Sequence, residues 1–387
     1  MAVVAVRVAP TGGGEALPRP TSSTPPAPST PSAQPPPAPP GTQAGIPPAP
    51  QAPGCTAASA IAELPLRQRL AQLLMVGVDT RAEAIEVVRD KEVGGIFLTG
   101  EGTALLTGGA LEQVQDAATI PVAVAVDDEG GRVQRLDKLE GELPSAREMA
   151  QTMTPRQVYE LARQRGAAMR DRGVTVDLAP VVDVSDQPDD AVIGDRSFSD
   201  DPQVVTRYAG AFARGLRAAG VLPVFKHFPG HGRAEGDSHE GKATTPPLDE
   251  LRRVDLVPYR QLLDEPAAVM VGHLDVPGLT EPATPTSISP DALALLREEL
   301  GFGGLVISDD LAAMQAITDR VGLPAAVRRS LAAGSDVALS ITDDELGEVL
   351  DHLEGAVAGG TLTEQRVNEA VERVLAAKGV DPCALTD

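Results

Sequence analysis

Tryptophan is missing from this chain, and tyrosine and phenylalanine are scarce, with three and six copies in 387 residues. Aromatics therefore make up 2% of a composition that is 42% hydrophobic. A core of aliphatic side chains, in one or two domains, is what such a chain can build. No apolar run reaches the roughly 18 residues of a membrane-spanning helix, so no membrane span is expected. Basic residues are outnumbered, 33 Lys and Arg against 55 Asp and Glu, for a formal charge of -22. That balance argues against nucleic acid or anionic lipid as partners and favours solubility as a monomer. Cysteine is limited to Cys55 and Cys383, 328 residues apart, which excludes a C-x-x-C redox or zinc motif. If the ends of the fold meet, the two can form one disulfide, and an oxidising compartment would follow. The alternative, a lipidated Cys55 after Gly54, lacks a preceding apolar run.

Residues 1–54 carry 16 of the 35 prolines, and only Arg7, Glu15 and Arg19 are charged there. Such a segment cannot bury a core, so it reads as a disordered, partly polyproline linker, with one folded domain over 55–387. A spacer of this kind holds a domain away from an anchor or through a wall layer, which favours an extracytoplasmic or wall-associated location. The apolar stretch Ala2 to Val6 is too short for a signal peptide, so a cytoplasmic location stays open.

In the folded part, apolar β-branched runs recur at Leu73–Val78, Gly95–Leu98, Val122–Val126, Val174–Leu178, Val221–Phe225, Ala268–Val271, Gly304–Ile307 and Val337–Ile341. Helix-compatible stretches lie between them, among them 110–117, 202–218, 290–300 and 323–333. Strands that are hydrophobic throughout and alternate with helices predict a parallel sheet buried on both faces. Eight units fit an α/β fold of the (β/α)8 TIM-barrel type, with a doubly wound open sheet as the alternative. Most runs end in polar residues: Asp127-Asp128-Glu129, Asp177 with Asp183, Lys226-His227, His273 with Asp275, and Ser308-Asp309-Asp310. In a barrel these ends converge on one mouth, where barrel enzymes place their chemistry.

The densest stretch is Val224–Gly241, V-F-K-H-F-P-G-H-G-R-A-E-G-D-S-H-E-G, which holds three of the five histidines. Pro229, Gly230 and Gly232 forbid a helix there, so the reading is a strand followed by a glycine-rich loop that closes over substrate. On that loop Asp237 stands two residues from His239, close enough to orient the ring as a proton shuttle. Metal ligation by these histidines, in a metal-dependent hydrolase, is the competing reading, but H-E-x-x-H is absent.

The run K-H-F-P-G-H-G followed by D-S-H resembles the signature of family 3 glycoside hydrolases of the β-N-acetylglucosaminidase branch, the NagZ-like enzymes. V-D-D-E-G-G-R-V-Q-R-L, V-I-G-D-R-S-F and L-V-I-S-D-D-L-A-A-M resemble further motifs of that family, over roughly Leu64 to Lys378. The resemblance implies that Asp127, Arg196, Lys226 and His227 bind the non-reducing sugar. It implies that Asp309 is the nucleophile and His239, paired with Asp237, the general acid/base. A carboxylate near Lys226 and Arg196 would stay ionised and could form a glycosyl ester, while on a strand the side chain of Asp310 points away from the mouth. A histidine donor fills the place of the second carboxylic acid that retaining hydrolysis usually needs. Asp177 departs from the family, which usually has asparagine there.

The function so implied is a retaining exo-β-N-acetylglucosaminidase acting on peptidoglycan fragments, with a small carbohydrate as its partner and no cofactor or metal. A glycoside phosphorylase of the same fold, a β-glucosidase and a non-catalytic wall-binding barrel are the other readings.

Overall fold

Each of the eight apolar runs becomes a strand in the computed structural model, which describes residues 55–100 and 102–385. The linker assigned to residues 1–54 lies outside the described residues. The strands are β1 Leu74–Val78, β2 Gly95–Leu98, β3 Ala123–Val126, β4 Val176–Asp177, β5 Leu222–Phe228, β6 Ala268–Val271, β7 Val306–Ser308 and β8 Ala338–Ser340. All ladders are parallel, and sequential neighbours pair from β1 to β7. β8 pairs with β1, placing Met75 opposite Leu339, and a bridge between Ile307 and Val337 joins β7 to the foot of β8. The sheet thus closes into the (β/α)8 barrel that the alternation predicts.

Continuous burial explains why the strands read as unbroken apolar runs: β1, β2 and β6 are buried at every position. The helices wrap outside with one apolar face each. Pro155–Asp171 starts on a capping box from Thr154 to Gln157, and Pro202–Ala218 on the Asp201 side chain. The second of these buries Val205, Tyr208, Ala209, Phe212 and Leu216. Truncating Phe212 alone would cost about 3–5 kcal/mol. All six phenylalanines are buried, so the few aromatics are spent on the interior.

Two expectations shift in detail. β5 runs three residues beyond Phe225, through Lys226 and His227 to Phe228, with its register against β6 shifting between Phe225 and Phe228. Polar side chains that face the mouth do not end a strand whose backbone still has a neighbour to pair with. The helix predicted over 290–300 is α-helical only over Pro290–Ala294 and widens into a π turn over Leu295–Glu299. There Arg297 reaches the buried Asp336 at 2.6 Å and the Gly304 carbonyl at 2.5 Å.

The two ends of the folded chain meet. Cys55 precedes the helix Ala57–Glu63, Cys383 lies in the turn after the helix Glu364–Lys378, and the two sulfurs are bonded at 2.08 Å with Cα atoms 6.1 Å apart.

Candidate active site

A cavity of about 310 Å³ opens at the C-terminal ends of the strands. Asp127, Arg196, Lys226, His227, His239 and Asp309 all line it, so the fold brings together six of the residues nominated from sequence. A larger cavity, about 540 Å³, lies at the opposite floor of the barrel and contains none of them. Size therefore does not mark the site; the convergence of ionisable groups does.

Around Lys226 and Arg196, charge is closely balanced. Lys226, 1% exposed, places Nζ 2.6 Å from Asp127 Oδ1 and 2.6 Å from Glu129 Oε1. Arg196, on the short turn Gly194–Arg196, donates to both oxygens of Glu129 at 2.8 and 2.7 Å. Burial opposes the charged form of every member of the cluster; at Asp127 it prevails and the carboxyl is raised, whereas at Glu129, Lys226 and Arg196 the opposite charges outweigh it. Glu129 is held below the usual carboxylate range, and Lys226 and Arg196 are pushed above their ordinary values. Both cations therefore stay charged while desolvated, where charge-assisted hydrogen bonds are strongest.

His227 is fixed from behind. Its Nδ1 lies 2.8 Å from Oδ2 of Asp183, a fully buried carboxylate that also accepts the backbone N–H of His231 at 2.7 Å. Burial pushes Asp183 up, yet the His227 ring, with His231 and its backbone N–H, outweighs that and the carboxyl is lowered. The pairing leaves Nε2 of His227 for the cavity.

At the opposite wall stands Asp309, immediately after β7. Its Oδ1 accepts the backbone N–H of Asp310 at 2.9 Å. Burial disfavours its charge, but His273, His227 and that N–H together hold it below the ordinary carboxylate range. The sequence assigns this role to Lys226 and Arg196. In the structure those cations are engaged by Asp127 and Glu129 instead. Asp310 also lines the cavity, contrary to the expectation that its side chain points away from the mouth, but its carboxylate is spent on backbone, accepting from Ala312, Ala313 and Ile341 N–H at 3.0, 2.9 and 2.9 Å.

The loop bearing Asp237 and His239 is docked over this wall. An antiparallel bridge between Glu235 and Thr244 closes its base. The N–H groups of Ala316 and Gln315 donate to the carbonyls of Ser238 and His239 at 3.1 and 3.3 Å. His239 Nδ1 lies 2.8 Å from Asp237 Oδ1, and the ring is 62% exposed. Burial raises Asp237, but the backbone N–H and ring of His239 outweigh it and the carboxyl is lowered. The three histidines of this stretch hold three different partners, and the described residues contain no cluster of three or more metal-type ligands.

Asp177 sits behind the site, fully buried. One oxygen accepts the Asp128 N–H at 3.0 Å and the other has no partner. Burial, with Asp128 and Asp127 nearby, pushes it well above the ordinary carboxylate range. A neutral carboxylic acid has nearly the shape of the asparagine that the resemblance leads one to expect there.

Glu129, Asp183 and the ring of His231 are the site-forming groups that sequence reasoning left without a role. A signal for Glu129 existed: Lys226 and Arg196 in one apolar mouth need more negative charge than Asp127 supplies.

The profile described as the Glycosyl hydrolase family 3 N terminal domain matches residues 65–377. Beta-hexosaminidase LpqI of Mycobacterium tuberculosis is 55% identical over 329 residues, covering 83% of this chain and 84% of that protein. A Beta-hexosaminidase of Stenotrophomonas maltophilia is 36% identical over 302 residues, 73% of this chain and 87% of that one. Among solved structures, a family 3 glycosyl hydrolase of Mycobacterium smegmatis superposes with a TM-score of 0.80 at 55% identity, over 84% of this chain and 98% of that one. The profile spans the whole barrel, and the relatives align over most of their own length. The chain belongs to glycosyl hydrolase family 3.

Proposed function

We propose that the protein is a retaining exo-β-N-acetylglucosaminidase that removes terminal β-linked N-acetylglucosamine from peptidoglycan fragments. The observation that carries this reading is the division of labour between Asp309 and Asp310. Among the described residues Asp309 has one oxygen bonded only to a neighbouring N–H and the other without a hydrogen bond, at the wall of the cavity. Asp310 spends its carboxylate on backbone.

In this mechanism Asp127, Arg196, Lys226 and His227 hold the hydroxyls of the terminal sugar. Oδ2 of Asp309 attacks the anomeric carbon, the bond to the leaving oxygen breaks, and His239 delivers its proton to that oxygen. Water then enters, gives a proton back to His239, and its oxygen displaces Asp309 from the anomeric carbon. Asp237 orients the ring and stabilises its charged form. The names of the curated relatives, both beta-hexosaminidases, support the sugar specificity.

Product analysis on a chitobiose-type disaccharide and on a muropeptide disaccharide, with and without phosphate, tests the reading. Free N-acetylglucosamine in both buffers is expected. A sugar phosphate as the main product would replace hydrolysis with phosphorolysis, and inactivity on both would overturn the assignment.

A further inference from the structure

Between the sugar pocket and the proton-transfer loop runs a chain of hydrogen bonds that the mechanism above leaves without a task. It begins at Asp183, whose two oxygens hold His227 Nδ1 at 2.8 Å and the His231 N–H at 2.7 Å. The ring of His231 then crosses to the loop, with Nε2 3.1 Å from Ser238 Oγ. His231 and Ser238 are 3% and 1% exposed, so water does not compete for this contact. Ser238 is the residue before His239.

The loop's two ends are held separately: Arg233 pairs with Asp255 at 2.6 Å, Gln187 Nε2 donates to the Ala234 carbonyl at 3.1 Å, Lys242 Nζ lies 3.6 Å from Asp275, and Ala243–Thr244 pair with Leu274–Asp275. The Glu235–Thr244 bridge closes the base, and the backbone bonds from Gln315 and Ala316 fix the outer edge. At the root, Gly232 presses so closely on Val184 that a Cβ there would lie 2.3 Å from the Val184 carbonyl oxygen. The loop thus leaves its strand directly against the segment that carries Asp183. The Ser238 hydroxyl is the side-chain tether that joins the middle of the loop to that root. Burial, with His227 nearby, lowers His231, so its ring is neutral and offers one donor and one acceptor nitrogen. Either tautomer can serve the hydroxyl, and alanine at 238 removes the contact for both.

We propose that Asp183, His231 and Ser238 form a positioning relay that sets His239 over the scissile oxygen and ties it to the sugar-binding His227. This inference rests on the assignment of His239 as the acid/base. Its consequence is specific. Loss of the tether misplaces the proton donor but leaves Asp309 where it is, so the step that suffers is protonation of a poor leaving group.

The test compares Ser238→Ala, His231→Phe and His239→Ala by kcat/KM on two substrates. One is a muropeptide disaccharide, whose leaving oxygen needs a proton. The other is a dinitrophenyl N-acetylglucosaminide, whose leaving group does not. For Ser238→Ala a loss on the order of tenfold or more is expected on the disaccharide, because misplacement of a catalytic group by an ångström can cost that much. The loss on the aryl glycoside should be several times smaller, and His231→Phe, if it folds, should show the same split. Proportional losses on the two substrates, or no loss on either, would overturn the relay. If His239→Ala shows the split and Ser238→Ala does not, the relay fails and the acid/base assignment stands. If His239→Ala itself shows no split, that assignment fails and the relay with it.

Discussion

The backbone N–H of Asp310 donates to Oδ1 of Asp309 at 2.9 Å, so the second of two adjacent aspartates helps to hold the first in its ionised form. Both residues line the cavity, but the side chains differ in their bonds: Asp309 accepts that one N–H, while Asp310 collects three backbone N–H groups from two segments. Their substitutions should fail in different ways. Asp309→Ala is expected to be folded with the parent's thermal midpoint and to lose turnover by several orders of magnitude. Asp310→Ala leaves buried donors without an acceptor and should lose about 2 kcal/mol or more of stability. Denaturant unfolding beside a turnover assay separates the two, and near-parental activity in Asp309→Ala would remove it as nucleophile.

Glu129 faces two cations, 2.6 Å from Lys226 Nζ and bidentate to Arg196. Glu129→Gln keeps the shape and removes the charge. Breaking one partner of a buried pair typically costs about 3–5 kcal/mol. The catalytic signature should be a rise in KM on the order of tenfold with a smaller change in kcat, because Arg196 and Lys226 would lose their orientation while Asp309 is untouched. An unchanged KM would mean that the two cations do not contact substrate.

The barrel was legible because parallel strands buried on both faces leave unbroken apolar runs, and because their polar ends must share a mouth. Asp127, Lys226 and Asp309 could be nominated on that ground together with the family motifs. What stayed hidden is pairing. Nothing in the spacing of Glu129, 67 residues before Arg196, says that the two meet. Asp183 stood among several polar residues after the strand ends, and nothing in the sequence says that it is fully buried between two histidines. The extension of β5 through Lys226 and His227 was missed because polarity was read as the end of a strand, when it marks only the face that meets the cavity.

Asp177 offers a test by pH. Burial, Asp128 and Asp127 raise it well above the ordinary range, so the native state keeps a proton that the unfolded chain releases near pH 4. Below that pH both states are protonated and the group costs nothing. Above it, stability falls as pH rises, until the raised native value is passed and the cost levels off. Asp177→Asn removes the titration while preserving the acceptor for the Asp128 N–H. It is expected to be more stable than the parent at pH 8, with an advantage that shrinks toward pH 5. Melting curves across that range check it, and an advantage independent of pH would show that Asp177 does not carry the extra proton.

The disulfide between Cys55 and Cys383 closes a loop of 328 residues, nearly the whole folded chain. A cross-link acts mainly by limiting the unfolded ensemble, and native bridges typically contribute about 2–4 kcal/mol. Helix Glu364–Lys378, which leads to Cys383, ends with Lys378 at the floor cavity, across the barrel from Asp309. Reduction should therefore lower stability without touching turnover. The expected result is a lower denaturation midpoint for the parent in dithiothreitol, no such shift for the Cys55→Ser, Cys383→Ser double variant, and equal kcat/KM for all three. Two free thiols in protein recovered from its native compartment would remove the bridge as an argument for an oxidising location. A fall in kcat/KM on reduction would show instead that the floor of the barrel is coupled to its mouth.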